Sequence, residues 1–324
     1  MKPIGGYFEL ELPDIRKNFP HALCPALNSG RHALEYILWQ LGKSGQVIYL
    51  PYYTCDVVLE PLKRVGIQYQ FYHIDDNLEI KDMPHLPDGH YLIVNNYFGI
   101  KDEYIIRLHH KFGSKMIVDN AQAYFMEGLQ GMRAFYSPRK FVGIPDGGFA
   151  CTPKERELEL PQDFSTNRSS HILRRIDSGA ASGYQEFKEN SYKLSEEPMK
   201  MMSKLTYRIL SSIDFDEIIY RRKRNFEYLH QVLGATNMLD IPDVKNFVCP
   251  LVYPYRTHDS KLRAKLISNN IFVATYWPNV LRWCNPDSIE YILTQEIIPI
   301  PIDQRYGKKE MDFIISMIKA DAEL

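Results

Sequence analysis

Apolar segments of strand length alternate with amphipathic segments of helix length between residues 28 and 151, and this alternation constrains the fold most. Residues 91–94 (YLIV) and 116–118 (MIV) are unbroken apolar runs, which are typical of strands buried on both faces. Apolar residues at helical spacing predict a helix over residues 103–112, between those two strands. Strands separated by helices of this length predict an α/β fold with a mostly parallel sheet and crossover helices.

The same alternation extends toward the N-terminus. A small polar turn at residues 28–30 precedes a predicted helix over residues 31–41, and a second helix is predicted over residues 54–65. The other predicted strands of this part cover residues 46–50 and 67–74, and the two apolar runs extend to 91–96 and 115–121.

The character of the chain changes near residue 152. Residues 153–245 are polar and helical, with the clearest helical patterns over residues 198–213 and 215–234. The basic run Arg221-Arg222-Lys223-Arg224 lies in the second of these helices and is predicted to form a solvated face.

A smaller α/β unit follows Lys245. Its predicted elements are strands over residues 246–254, 271–275 and 296–301, a helix over residues 259–270 and a closing helix from residue 308. We therefore predict a large α/β domain over residues 1–155, a helical connector over 156–245 and a small C-terminal α/β domain over 246–324.

Charge and hydropathy exclude several classes of protein. The chain has 39 Lys and Arg against 40 Asp and Glu, whereas a general nucleic-acid binder normally carries a basic excess. Acidic residues interrupt the first 17 positions where a secretion signal needs an apolar segment, and no stretch approaches the ~20 apolar residues of a membrane span. We therefore expect a cytoplasmic protein that binds neither nucleic acid nor membrane.

The five cysteines form no Cys-x-x-Cys pair, and the ten histidines form no His-Glu-x-x-His motif. This spacing predicts no metal site and no disulfide framework, but reduced thiols that serve as small core residues. His109 and His110 are predicted to lie on the outer face of a helix. The cysteines are Cys24, Cys55, Cys151, Cys249 and Cys284.

Three polar clusters lie where an open α/β sheet binds ligands, at strand ends and helix starts. Residues 28–32 form a turn at a helix start, which suits a phosphate, although every capped helix begins in a similar way. Asp119 ends a buried strand and needs a cationic partner, either a protein base or a protonated nitrogen of a ligand. Residues 135–140 include Lys140 and are followed by Gly147-Gly148, which indicates either unusual backbone torsions or a close approach of the backbone to another group.

The order of these clusters resembles that of the fold-type-I pyridoxal-phosphate enzymes, and specifically the DegT/DnrJ/EryC1/StrS family of sugar aminotransferases. The matching stretches are spread over most of the chain and are NSGRHALEYIL, VIYLPYYTCDVVLEPL, YFGIKD, MIVDNAQA, FYSPRKFVGIPDGGFACT and IPIPIDQRY. The resemblance implies a large α/β domain with a smaller C-terminal domain, pyridoxal 5'-phosphate as cofactor and a homodimer.

The resemblance also assigns roles in catalysis. Lys140 matches the lysine that forms a Schiff base with the cofactor, and Asp119 matches the acid that keeps the pyridinium nitrogen protonated. Gln122 falls where the family places a Gln or His close to the phenolic oxygen of the cofactor.

Phosphate and substrate contacts are implied in the same way. Ser137 matches a hydroxyl that binds the cofactor phosphate, and the turn Ser29-Gly30-Arg31 matches the cradle for that phosphate. Tyr97 and Phe98 follow another strand and either line the pocket or pack in the core.

The sequence departs from the family pattern in two places. Cys55 stands where the family usually offers an aromatic residue to stack on the pyridine ring, so that Tyr53 or another aromatic residue is a candidate for this contact. The Gly-x-Asn-x-Arg motif, which reaches the site of the partner subunit, has no equivalent between Lys140 and Arg224. We therefore expect that the partner subunit contributes less to the pocket than is usual in the family. Arg31, Arg174 and Arg175 carry the same charge as the missing arginine and are candidates to replace it.

The function implied by the resemblance is transfer of an amino group from an amino acid to a keto sugar, with a nucleotide-linked sugar as the acceptor class. Two alternatives stay open at this point: elimination or other carbanion chemistry with the same cofactor, and a family member that binds without turnover. A Rossmann nucleotide binder is disfavoured because no Gly-x-Gly-x-x-Gly follows the first strand.

Overall fold

A seven-stranded sheet organises the larger part of the computed structural model, which describes residues 4–13, 19–42, 45–153 and 158–319. The strand order is β1-β7-β6-β5-β4-β2-β3, in which β2 to β6 are parallel and β7 and β1 are antiparallel to their neighbours. The strands are β1 (Ala26–Leu27), β2 (Val47–Pro51), β3 (Gln68–Tyr72), β4 (His90–Asn95), β5 (Met116–Asn120), β6 (Arg133–Tyr136) and β7 (Gly148–Cys151).

Eleven α-helices are described, and those between the parallel strands cross over the sheet. They are α1 (Gly30–Leu41), α2 (Leu59–Val65), α3 (Asp102–Phe112), α4 (Ser170–Ser178), α5 (Tyr184–Glu196), α6 (Lys204–Ser211), α7 (Phe215–Leu233), α8 (Leu262–Ser268), α9 (Val280–Trp283), α10 (Ile289–Glu296) and α11 (Lys308–Lys319). The predicted α/β class with a mostly parallel sheet is confirmed. No helix in the described ranges is both long and apolar enough to cross a membrane.

Successive residues of the central strands supply two different apolar cores. Leu92 and Val94 of β4 pack into the core on one face of the sheet, whereas Ile93 packs on the other face with Ile37 of α1 and Ile117 of β5. Both faces of these strands are therefore buried, which explains why their sequence is an apolar run and not an alternating pattern.

The C-terminal part contains a two-stranded antiparallel sheet of β8 (Val252–Arg256) and β9 (Ile297–Pro301). The strand predicted over residues 271–275 is wrong, because this segment pairs with no described strand. The carbonyl of Ala274 instead accepts a hydrogen bond from the guanidinium of Arg263.

The helix predicted over residues 198–213 begins only at Lys204. Residues before it run extended beside β1, where Asn28 N–H donates to the Lys200 carbonyl (3.0 Å) and Met202 N–H donates to the Ala26 carbonyl (2.9 Å). Ser203 then caps α6 by accepting a hydrogen bond from Thr206 N–H. Pairing with β1 therefore overrides helical periodicity in this stretch.

Two predicted surface positions are wrong. Arg222 is 2% exposed, because its guanidinium donates to the Leu251 carbonyl (2.9 Å) and to the side-chain oxygen of Gln304 (3.1 Å). His109 is also buried and makes a 3.2 Å hydrogen bond from Nε2 to the Gln130 carbonyl. Buried polar groups of this kind require partners far along the chain, which local periodicity does not reveal.

A disulfide joins Cys24 to Cys151, which corrects the prediction that all five cysteines are reduced thiols. The two residues are 127 positions apart in sequence and their Cα atoms are 5.0 Å apart. Antiparallel pairing explains the contact, because Ala26 opposes Phe149 and the same register places Cys24 opposite Cys151. The other three cysteines, Cys55, Cys249 and Cys284, are free.

Candidate active site

Lys140 lies in a short helical turn (Pro138–Lys140) directly after β6. Its backbone N–H donates to the Ser137 carbonyl (3.2 Å), and its side chain is exposed. The turn places the ammonium at the carboxyl end of the parallel strands, the edge at which open α/β sheets bind ligands.

Asp119 lies at the same edge, one strand away, because β5 and β6 are parallel neighbours and Asp119 pairs in register with Phe135. Its carboxylate accepts a 2.8 Å hydrogen bond from Ala121 N–H. Burial raises the pKa of Asp119, and the nearby Lys140 ammonium and the Ala121 N–H oppose that rise. The surrounding protein groups therefore compensate the negative charge of the Asp119 carboxylate only in part, and a further cationic partner would stabilise it.

Gln122 is buried beside this pair of residues. Its side-chain oxygen accepts a 2.8 Å hydrogen bond from Phe98 N–H, which fixes the orientation of the amide. Its Nε2 group is buried and has no hydrogen-bond partner among the described residues. A buried donor without a partner is costly, and an acceptor on a bound group would satisfy it.

The turn at residues 28–32 packs directly on Ser137. A Cβ atom on Gly30 would lie 3.3 Å from Ser137 Cβ, and one on Gly148 would lie 2.3 Å from the Ser29 carbonyl oxygen. Both glycines therefore permit a close approach that a side chain would block, as the sequence predicts for Gly148. Ser137 itself is half-buried at this contact.

The side chains of Ser29 and Arg31 have protein partners. Ser29 caps α1 by accepting a hydrogen bond from His32 N–H (3.2 Å). Arg31 forms a 2.8 Å ion pair with Glu60 and donates to the Ser191 carbonyl (3.1 Å). The structure thus brings the turn to Ser137 while it directs these two side chains elsewhere.

Of the four pocket candidates, Cys55 lies nearest the charged groups. Burial raises the pKa of its thiol, an effect that Lys140 opposes and Asp119 reinforces. Tyr53, Tyr97 and Phe98 are fully buried in the core instead, where the Tyr97 hydroxyl donates to the Tyr53 carbonyl (2.8 Å). Cys55 is therefore the candidate whose thiol pKa both Lys140 and Asp119 influence, whereas Phe98 contacts the site through its backbone N–H to Gln122.

Sequence reasoning missed Tyr276, which lies near Cys55 in the C-terminal part. Burial raises the pKa of its phenol to about 12, and the Cys55 thiol adds to this rise. The segment that carries Tyr276 was predicted as a strand and a loop, so no local signal pointed to a site residue.

A cavity of about 650 Å³ opens beside Lys140, between the Lys140 turn, helices α4 and α5, and the loop after β9. Arg139 lies in its wall with Nε buried and without a hydrogen-bond partner among the described residues. Burial and the neighbouring Arg31 lower the pKa of Arg139 to about 10, while Asp146 opposes this shift. His171, Arg175 and Arg305 also line the cavity, which is therefore rich in basic groups.

No family model and no curated protein matches the sequence. Three-dimensional comparison gives clear matches with solved structures. The sugar aminotransferase CalS13 from Micromonospora echinospora has a TM-score of 0.62 at 15% identity, over 91% of this chain and 86% of that chain.

Two other structures extend this comparison. A DegT DnrJ EryC1 StrS aminotransferase from Brucella abortus has a TM-score of 0.59 at 14% identity, over 92% of this chain and 85% of that chain. NtdA from Bacillus subtilis, with bound cofactor PMP, has a TM-score of 0.64 at 12% identity, over 93% of this chain and 73% of that chain. The chain therefore has the fold of the DegT/DnrJ/EryC1/StrS sugar aminotransferases, the fold-type-I fold that the sequence predicts.

Proposed function

We propose that the protein is a pyridoxal-phosphate-dependent aminotransferase that moves an amino group from an amino acid to a keto sugar. The observation that carries the proposal is the placement of Lys140 and Asp119 at one edge of the sheet, with Gln122 Nε2 buried and without a hydrogen-bond partner among the described residues. The likeness to the sugar aminotransferase CalS13 and to NtdA with bound PMP supports it.

The residues at this edge fit pyridoxal phosphate. Asp119 would hold the protonated ring nitrogen, which would satisfy its carboxylate, and Gln122 Nε2 would donate to the phenolic oxygen. Ser137 packs against Gly30, and its hydroxyl would donate a hydrogen bond to the phosphate of the cofactor. When bound, the cofactor supplies an electron sink for the carbanion that forms as a substrate proton is removed.

Lys140 has two roles in this proposal. Its amine would hold the cofactor covalently and, when freed, would stand beside the reacting carbon and move a proton between two carbon atoms. Its exposed side chain leaves the ammonium reachable from the cavity. Cys55 stands at the sequence position where the family usually has a stacking aromatic residue, and Tyr276, whose phenol pKa the Cys55 thiol raises, is a further candidate for that contact.

An anionic group on the substrate would explain the basic cavity. Arg139 has a buried guanidinium with one unpaired nitrogen, and Arg175 lies at the same opening. A diphosphate would compensate these charges by bidentate hydrogen bonds, which arginine favours. We therefore propose a nucleotide-linked keto sugar as the acceptor.

A homodimer and a cytoplasmic location complete the proposal. Large apolar side chains are exposed on the N-terminal segment, where Tyr7 is 99% and Phe8 90% exposed. Further exposed apolar residues on α4 include Leu173 and Ile176. Such surfaces typically mark interaction sites, and closed two-fold pairing is the commonest way to cover them.

The visible absorption spectrum of the purified protein tests the proposed reaction. We expect a yellow protein whose absorption bleaches when glutamate or another amino donor is added, and a colourless Lys140→Ala variant. A yellow protein that ignores every amino donor would contradict transamination and favour other carbanion chemistry or binding without turnover. A colourless wild-type protein that does not take up added pyridoxal phosphate would contradict the cofactor.

A further inference from the structure

A histidine lies against the disulfide between Cys24 and Cys151. One ring nitrogen of His21 and the two Sγ atoms all lie within 4.8 Å of one another. Cys24 precedes β1 and Cys151 ends β7, so the pairing of these two strands holds the sulfurs together whether or not they are bonded. This cluster lies outside the proposed aminotransferase site, and no step of that reaction uses it.

The histidine ring is oriented for ligation. His21 Nε2 lies 2.5 Å from the Tyr124 carbonyl oxygen, which can only accept a hydrogen bond. Nε2 therefore carries the proton, and the lone pair of Nδ1 faces Cys151 Sγ at 4.0 Å. Metal-binding histidines commonly donate their second ring nitrogen to a backbone carbonyl in this manner. The ring is also stacked on Tyr136, with a centroid distance of 3.7 Å, which limits its rotation.

The donor set is that of a zinc site. Two thiolates and one imidazole are preferred ligands of Zn²⁺, and sites with three protein ligands keep a fourth position for water. All three residues are half-buried and line a cavity of about 1490 Å³ that is open to solvent. An ion and a small reductant can therefore reach them.

We propose that His21, Cys24 and Cys151 form a redox-dependent zinc site, closed by the disulfide and opened by its reduction. A dithiol reductant supplies two electrons and two protons, the S–S bond breaks to give two thiols, and the reductant becomes a disulfide. Zn²⁺ then displaces one proton from each thiol and takes the lone pair of His21 Nδ1, with water as fourth ligand. In the reverse exchange a small disulfide accepts the two electrons of the thiolates and two protons from water and becomes a dithiol, while the Cys24–Cys151 bond re-forms and Zn²⁺ is released.

Co²⁺, a spectroscopic substitute for Zn²⁺, tests the proposal in the full-length protein. After anaerobic reduction and removal of the reductant, we expect one Co²⁺ per chain, with thiolate-to-cobalt absorption that one equivalent of Zn²⁺ abolishes. The oxidised protein is the matched control, because it keeps the free thiols of Cys55, Cys249 and Cys284 but should bind no Co²⁺ in this way.

Substitutions assign the ligands. Cys151→Ser should abolish the absorption, and His21→Gln should weaken Zn²⁺ binding by at least the ~10–100-fold that loss of an outer-shell partner costs. Cys284→Ser should bind like the wild type. Equal binding by oxidised and reduced wild-type protein, or a disulfide that a dithiol cannot reduce in the folded protein, would overturn the proposal. The wild-type comparison decides the matter even where a variant fails to fold.

Discussion

The side-chain amide of Gln304 donates a 2.8 Å hydrogen bond to the backbone carbonyl of Phe141, the residue that directly follows Lys140. The oxygen of the same amide accepts a hydrogen bond from Arg222, whose guanidinium lies 4.8 Å from the centre of the Phe141 ring. Arg222 is itself held by the Leu251 carbonyl. The C-terminal part of the chain thus holds the turn that presents Lys140.

Replacing Gln304 should therefore disturb the positioning of Lys140. We expect Gln304→Met to cost about 2–4 kcal/mol of unfolding free energy, since the hydrogen bonds to the Phe141 carbonyl and from the buried Arg222 are both lost, and to lower kcat more than it raises KM for the amino donor. Unfolding by urea and steady-state kinetics measure the two effects. Gln304→Glu keeps an acceptor for Arg222 but loses the N–H donor, and it should show a similar fall in kcat. Unchanged kcat in both variants would show that this contact does not position Lys140.

Asp119→Asn should leave the protein folded while turnover falls by orders of magnitude, because a neutral amide cannot hold the ring nitrogen protonated. The hydrogen bond from Ala121 N–H survives in this variant, because the amide oxygen still accepts it. Cofactor affinity, measured by fluorescence titration, should change less than kcat. A variant that unfolds while its folded fraction keeps wild-type activity would show that the carboxylate is structural.

The same variant has a second consequence for stability in the absence of cofactor. Since burial raises the pKa of Asp119, the folded wild-type protein loses stability as the pH rises from the ordinary value of 3.8 through the raised pKa. The amide of the Asp119→Asn variant carries no charge, so that the cofactor-free variant should gain stability relative to the wild type over that pH range. Urea unfolding of both proteins at a series of pH values measures this difference. A constant difference across the range would contradict the sign of the shift.

Gly148→Ala should weaken both the fold and cofactor binding, because its Cβ would lie 2.3 Å from the Ser29 carbonyl oxygen in the turn beside Ser137. Overpacking of this kind typically costs about 1–3 kcal/mol. Gly128→Ala is the matched control, since its Cβ would lie 3.6 Å from the Tyr136 hydroxyl, an ordinary contact. Thermal unfolding with and without pyridoxal phosphate measures both effects. Equal behaviour of the two variants would contradict the role assigned to the turn.

Light scattering should return a dimer at micromolar concentration, because the apolar N-terminal segment and α4 need a covering surface. In the stretch from residue 196 to 233, Met202, Leu210 and Phe226 are buried within the chain, whereas Tyr207 and Tyr220 are exposed. We expect Tyr7→Ser combined with Phe8→Ser to shift the equilibrium toward monomer. A monomeric wild-type protein would refute the proposed dimer. A structure in which a side chain of the partner subunit contacts the cofactor phosphate would refute the expectation that the partner contributes less to the pocket than is usual in the family.

Local patterns in the sequence predict much of the fold and part of the site. The strand that carries Asp119 is a short apolar run with a clear end, and parallel pairing places that end beside the strand that precedes Lys140. Hydrophobic periodicity also predicts α1 and α3 within one residue at their starts.

What the sequence does not reveal depends on contacts between distant segments. Burial of Arg222 requires carbonyls at residues 250 and 251, and the disulfide requires pairing of strands more than 120 residues apart. Residues 271–275 have the composition of a strand but no neighbouring strand, among the described residues, with which to form a ladder. In each case tertiary packing decides between options that the local sequence leaves open.

Borohydride reduction of the purified protein with pyridoxal phosphate, followed by peptide mass mapping, tests whether Lys140 holds the cofactor. We expect one pyridoxyl group per chain, on the peptide that contains Lys140. Lys140→Arg should take no label, whereas Lys115→Arg, which alters a lysine paired with Asp88 at the surface, should be labelled like the wild type. A pyridoxyl group on another lysine, or no label on the wild-type protein, would contradict the account.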